Sequence, residues 1–196
     1  MIETFMDLRL WFRERLEDAL DRRGVRADEG TRAYLVELMA AVGGGMRRPP
    51  GQEPLVLRLA EARAAESLED RVRLYHGVGD EALCLSGFFA DHLERRGLSA
   101  DYVAHLGSGA YESAAVLATR VPARVASSST FGRLARQFVE LSGVLDEVRE
   151  STVLRTPQDI VRLYDRWRKT RSPRLAERLF AEGVMPSAPS RPGAVH

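Results

Sequence analysis

The chain has 196 residues, 29 basic and 28 acidic, with a formal net charge of +1 and 44% hydrophobic residues. This near-neutral, apolar-rich composition excludes an intrinsically disordered chain and a broadly polybasic nucleic-acid coat. Of the basic residues 28 are Arg and one is Lys, Asn is absent and Ile occurs twice, a bias that follows A/T-poor codons and points to a GC-rich bacterial gene.

The spacing of Phe5, Leu8, Phe12, Leu16 and Ala19 predicts a helix over 2–23, with Leu10 and Trp11 widening its apolar side and Gly24 as its stop. Asp28 suits the cap of a second helix carrying Tyr34, Leu35, Leu38, Met39 and Val42. Glycines and prolines make 43–54 a connection between helix pairs. A third helix follows over 55–66. Ser67-Leu68-Glu69-Asp70 resembles a capping box with Asp in place of Glu or Gln. The helix it opens meets Gly77-Val78-Gly79-Asp80, where two glycines each cost about 1 kcal/mol relative to Ala. The expectation is a kink or a restart there, with Asp80 capping a helix over 81–96. Leu83, Leu85, Phe88, Phe89 and Leu93 then form the most apolar patch, expected at the centre of the core.

Ser99 suits the cap of the next helix, whose Ala110, Ala114 and Ala118 recur every four residues and permit a close helical neighbour. Phe131, Leu134, Phe138, Leu141, Leu145 and Val148 alternate in threes and fours, which predicts one long central helix. Thr156-Pro157 opens another helix with Pro at its first position, and Ser172-Pro173 a short final one that stops at Gly183. Strand signals are nearly absent. The expected fold is all-α, a compact bundle of seven to nine helices in one domain over 1–184, with a disordered tail over 185–196.

The lone cysteine, Cys84, lies in an apolar run and forms no internal disulfide, which suits a buried small hydrophobe in a reducing cytoplasm. The start of the chain lacks a basic segment followed by an apolar run, and no uncharged apolar stretch reaches the length of a membrane span. A cytoplasmic chain without membrane insertion is expected.

The segment from Arg73-Leu74-Tyr75-His76 through Gly79-Asp80-Glu81-Ala82-Leu83-Cys84-Leu85-Ser86-Gly87-Phe88-Phe89 resembles a group of helical bacterial proteins of unknown function. The likeness extends through Tyr102, Gly107 and Ala110-Tyr111 to Leu163-Tyr164-Asp165-Arg166-Trp167. The resemblance implies a compact helical bacterial protein and carries no activity with it.

His76 and Asp80, and Asp101 and His105, each stand four residues apart, so each pair shares a helix face. On facing helices these four residues are candidate metal ligands, as in carboxylate-histidine sites inside bundles. Asp101-x-x-x-His105 also resembles one motif of haem-oxygenase-like di-iron enzymes, although the chain holds no Glu-x-x-His. His76, His92 and His105 are candidate axial ligands for haem, without a Cys-x-x-Cys-His for attachment. Structural histidines and a capping Asp explain the same residues, so no metal or cofactor is assigned. Gly77-Val78-Gly79-Asp80-Glu81-Ala82 matches a loose dinucleotide fingerprint, but a helix leads into it and two acids would repel phosphate.

The strongest asymmetry lies between Arg155 and Arg178, with eight positive and three negative residues. Arg162, Arg166 and Lys169 fall opposite Leu163, Tyr164 and Trp167 on the helix, and Arg171 and Arg174 continue the charge. The alternative is a solvated face in which Asp165 pairs with Lys169 and Asp159 with Arg162. Without a catalytic constellation, these residues suggest a non-enzymatic interaction or regulatory protein that binds a protein partner through Arg162, Arg166, Lys169, Arg171 and Arg174. The alternatives are a metal- or haem-dependent enzyme in the bundle core and a nucleic-acid-binding regulator using the same basic surface.

Overall fold

The computed structural model describes residues 2–43, 53–90, 93, 97–121, 128–151 and 157–185, with side chains for all of these except 2–7, 43, 157 and 158. Among the described residues there are nine helices and no strand, an all-α bundle. They are α1 (Ile2–Arg23), α2 (Glu29–Gly43), α3 (Leu55–Ala64), α4 (Leu68–Gly87), α5 (Ala100–Ala118), α6 (Ser128–Arg136), α7 (Phe138–Glu150), α8 (Pro157–Thr170) and α9 (Pro173–Ala181). Most of the expected connection, 44–52, and the expected tail, 186–196, lie outside the described residues.

Local chemistry sets several helix ends. The Gly24 backbone is left-handed (φ +65°), and the Val25 amide donates to the Leu20 carbonyl, which closes α1. Asp28 caps α2, its Oδ1 accepting from the Thr31 amide at 3.0 Å and from the Thr31 hydroxyl at 2.5 Å. These hydrogen bonds, side chain first, hold its carboxyl below the usual range, and Arg133 nearby adds to the effect. Ser67 Oγ accepts from the Asp70 amide (3.0 Å) and donates to the Asp70 carboxyl (2.8 Å), a capping box in which Asp reaches the hydroxyl. Ser99 holds the cap position of α5 but makes no side-chain hydrogen bond to it, which corrects the expectation of a side-chain cap.

The restart expected at Gly77 and Gly79 does not occur. Helix α4 runs through both glycines, and Asp80 is an interior residue rather than a cap. The reason is tertiary packing. A Cβ on Gly79 would sit 2.6 Å from the Tyr111 ring, and one on Gly107 would sit 2.5 Å from Phe138 and 2.6 Å from Ala82. The glycines remove bulk so that α4, α5 and α7 meet backbone to ring, which outweighs their poor helix propensity. Contacts between α4 and α5 are the most extensive in the fold, and the alanine stripe of α5 contributes fully buried Ala110 and Ala114.

The long helix expected over 131–148 is divided at Gln137, whose backbone (φ −105°, ψ 21°) leaves helical angles. Its amide still donates to Arg133 and its carbonyl still accepts from Leu141, so the hydrogen-bonded path continues across the bend. The Gln137 side chain donates to the Arg26 carbonyl at 3.0 Å, anchoring the bend to the α1–α2 turn. All six stripe residues from Phe131 to Val148 are buried, as their spacing requires.

Helices α8 and α9 form a hairpin. Helix α8 packs on α2 through this side of the bundle, with Ile160, Leu163, Tyr164 and Trp167 buried. After α9, the Glu182 carbonyl accepts from the Trp11 indole N–H and from Arg15 (3.3 Å) of α1. The hairpin is therefore fastened to the first helix as well as the second.

Two expectations follow. Asp28→Ala should lower stability by about 1 kcal/mol at neutral pH. A carboxyl with a depressed folded pKa contributes above its unfolded value near 3.9 and loses that contribution as pH falls through the folded value. The gap between native and variant in urea unfolding should therefore narrow below about pH 4. Gly79→Ala gains about 1 kcal/mol of helix propensity but overpacks the Tyr111 ring at a cost of about 1–3 kcal/mol, so it should destabilise. Gly109→Ala, on the same helix as Gly107 but with nothing within 4 Å, should stabilise instead. Equal shifts in the two urea midpoints would remove the packing explanation.

Candidate functional site

The five basic residues expected on one surface are all exposed, on α8 and on the turn and start of α9. They do not act alike. Arg166 and Arg174 line an open depression of about 430 Å³ at the elbow of the hairpin, together with Arg178, Thr170, Ser172, Leu163 and Leu175. Arg162, Lys169 and Arg171 are not part of its lining. Arg171 instead adopts a left-handed backbone (φ 52°), donates its amide to the Trp167 carbonyl and lays its guanidinium 4.6 Å over the Trp167 ring. That residue closes α8 and shields a buried indole, so part of its role is architectural.

Asp165 pairs with Arg168 at 3.8 Å, not with Lys169 as the spacing suggested. Residues three apart neighbour one another on a helix as residues four apart do, and Lys169 is exposed. The depression thus gathers three guanidinium groups and two hydroxyls, with no acidic residue in its lining. Arg178 was within the basic stretch, but only the fold brings it alongside Arg166. The start of α9 lies in the same wall, and a helix N-terminus favours anions.

A second constellation lies inside the bundle. Tyr34 of α2, His76 and Asp80 of α4 and Tyr111 of α5 converge on the Asp80 carboxyl group. Tyr34 and Tyr111 both donate to Asp80 Oδ1, the latter at 2.7 Å. His76 Nε2 lies 3.0 Å from Asp80 Oδ2 and 2.5 Å from the Tyr34 oxygen. With its proton on Nε2, the imidazole donates into this ring and Tyr34 relays the bond to Asp80. Phe131 of α6 covers the group, its ring 5.1 Å from His76 and stacked 6.4 Å from Tyr111. One edge opens to solvent, where the His76 side chain is 30% exposed and that of Asp80 15%.

Burial pushes both tyrosines well above their ordinary value, and the charge of Asp80 pushes them further. Burial of His76 opposes its charge, but the hydrogen bond and charge of Asp80 outweigh it and raise the imidazole. Burial likewise raises the Cys84 thiol, which stays a protonated core residue. Beside the cluster, Arg58 of α3 pairs with the buried Glu81 and fills the space over Gly77.

The metal quartet expected from the sequence is divided by the fold. His76 and Asp80 meet because α4 is unbroken, whereas Asp101 and His105 are exposed at the start of α5. Among the described residues no group of three or more His, Cys, Asp or Glu side chains is arranged to hold a metal ion. The side chain of His92 lies outside the described residues. Tyr34 and Tyr111, the partners that the fold supplies, carry no local sequence signal and sit 46 and 31 residues from Asp80. Among the described residues no helix is long and apolar enough to cross a membrane. Comparison with protein-family models, with curated protein sequences and with solved structures finds no match to this chain.

Asp80→Ala would leave two buried phenols and an imidazole without their acceptor. It should cost about 2–3 kcal/mol in denaturant unfolding. A loss under about 0.5 kcal/mol would mean that water replaces the carboxyl without penalty.

Proposed function

We propose that this chain is a non-enzymatic helical interaction protein of the bacterial cytoplasm that presents its α8–α9 surface to an acidic protein partner. The observation that carries the reading is the convergence of Arg166, Arg174 and Arg178 on one depression with no acid in its lining. Guanidinium groups match carboxylates with two parallel hydrogen bonds each, so a cluster of three is suited to an acidic segment. Exposed Phe180 near the C-terminal end of α9 and Met185 beyond it add apolar area along the helix that carries Arg174 and Arg178. Aromatic, Met and Arg side chains together are the composition of protein–protein contacts.

The same charge also supports nucleic-acid binding, but Trp167 is buried beneath Arg171 and offers no stacking platform for a base. A protein partner is therefore the better reading of this surface. The reversal Arg166→Glu/Arg174→Glu/Arg178→Glu should abolish capture of the partner from native cytoplasm while circular dichroism stays unchanged. Capture of the same partner by the reversed variant would sink the assignment. Retention of the native protein on DNA at low salt, with a steep loss as salt rises, would transfer the surface to nucleic acid.

A further inference from the structure

The arginine depression at the elbow of the hairpin holds more donors than a carboxylate can use. Arg174 and Arg178 stand one turn apart on α9 and Arg166 joins them from α8, so three guanidinium groups reach it from two helices. Among the described residues none of the three makes an ion pair, in contrast to Arg168, which pairs with Asp165. Neutral donors stand at the same place. Ser172 holds the N-cap position of α9 with an extended backbone (φ −63°, ψ 125°), yet its hydroxyl makes no hydrogen bond to the helix and lines the depression instead. Pro173 has no amide proton, and the Leu175 and Ala176 amides donate to the Ser172 carbonyl, which leaves the Arg174 amide at the start of the helix. Thr170 is not a donor here, since its hydroxyl proton goes to the Arg166 carbonyl at 2.8 Å.

Charge and shape select the group that fits. A carboxylate carries one charge, and its two oxygens lie in one plane whose paired edge a single guanidinium fork already occupies. A phosphate monoester carries a charge of about −1.5 to −2 near pH 7 and three acceptor oxygens that point away from one another. Three forks, a hydroxyl and an amide arriving from two helices match that tetrahedral group in charge, in number of donors and in spread of direction. We infer that the depression recognises a phosphoseryl or phosphothreonyl side chain of the protein partner. Arg166, Arg174 and Arg178 hold its oxygens, and the Ser172 hydroxyl and the Arg174 amide complete the shell.

This rests on the partner-binding reading and names the group that the partner presents. Leu163 and Leu175 lie in the same lining, where the carbon atoms of a peptide can rest, a contact that a bare phosphate ion does not make. The lining holds no histidine and no acid, so none of its groups titrates between about pH 5.5 and 7.5. Over that range a phosphate ester loses its second charge, near pH 6, whereas a Glu carboxylate stays ionised. Recognition of phosphate therefore has a pH signature that recognition of a carboxylate lacks.

The experiment follows the amide and guanidinium Nε–H signals of the full chain by NMR at fixed salt. Three probes are titrated: acetyl-Ala-phosphoserine-Ala-amide, the same peptide with Glu in place of phosphoserine, and inorganic phosphate. The phosphopeptide should bind about tenfold tighter than the Glu peptide at about pH 7.5, shifting signals of Arg166, Arg174 and Arg178. Its affinity should fall about threefold on going to about pH 5.5, while that of the Glu peptide stays constant. Arg174→Gln/Arg178→Gln, at two exposed positions, should weaken the phosphopeptide about tenfold and Ser172→Ala about threefold. Arg162→Gln, exposed but outside the lining, should behave as the native chain. Equal affinity for the two peptides overturns the phosphate assignment and leaves the acidic-partner reading standing. That reading fails separately, on capture of the partner by the triple reversal. Inorganic phosphate bound as tightly as the phosphopeptide overturns the assignment to a phosphorylated protein. A native chain without shifts, or phosphopeptide binding that Arg174→Gln/Arg178→Gln leaves unchanged, overturns the site itself.

Discussion

The contact between the Tyr111 ring and the bare backbone of Gly79 is the constraint on which four helices depend, because it decides how near α5 comes to α4. With that spacing the phenol of Tyr111 reaches Asp80, and Tyr34 of α2 donates to the same carboxyl oxygen. His76, one turn earlier on α4, completes the group, and Phe131 seals it from α6. A close-packed interior has no slack to absorb an added methyl group at such a point. Polar atoms in that position are tolerable only because each finds a partner, so packing and hydrogen bonding are solved together.

Much of the architecture is legible from periodicity, since burial at every third or fourth residue is a local property of the chain. The stripes of α1, α2, α7 and α8, the stop at Gly24, the cap at Asp28 and the box at Ser67 all follow from neighbours within a few positions. The misreadings share one cause. Gly77 and Gly79 look like breakers because propensity counts only the helix they belong to, while their value lies in α3 and α5. Gln137 looks like an ordinary helical position until its side chain is seen to reach Arg26, 111 residues away. Tyr34 and Tyr111 could not be joined to Asp80 in advance, since no spacing rule connects residues on separate helices. His76 and Asp80 were visible as a pair, and the unbroken helix makes the pair real.

The basic hairpin shows how a charge count differs from a surface. Eight positive residues over one stretch set the sign of the field, yet they divide into roles that sequence position does not reveal. Arg168 is partnered by Asp165, Arg171 covers Trp167, and Arg166, Arg174 and Arg178 surround a depression. Exposed ion pairs of this kind contribute little to stability, which leaves such residues free to be chosen for what they meet outside the molecule.

The hydrogen bond from Trp11 to Glu182 spans 171 positions of chain. The loop it closes takes in most of the described residues, and closing a long loop costs entropy before any contact rewards it. A contact of that sequence separation raises the contact order of the fold and slows its formation. The bond that fastens the α8–α9 hairpin to α1 is therefore among the contacts that the folding chain meets at the greatest entropic cost.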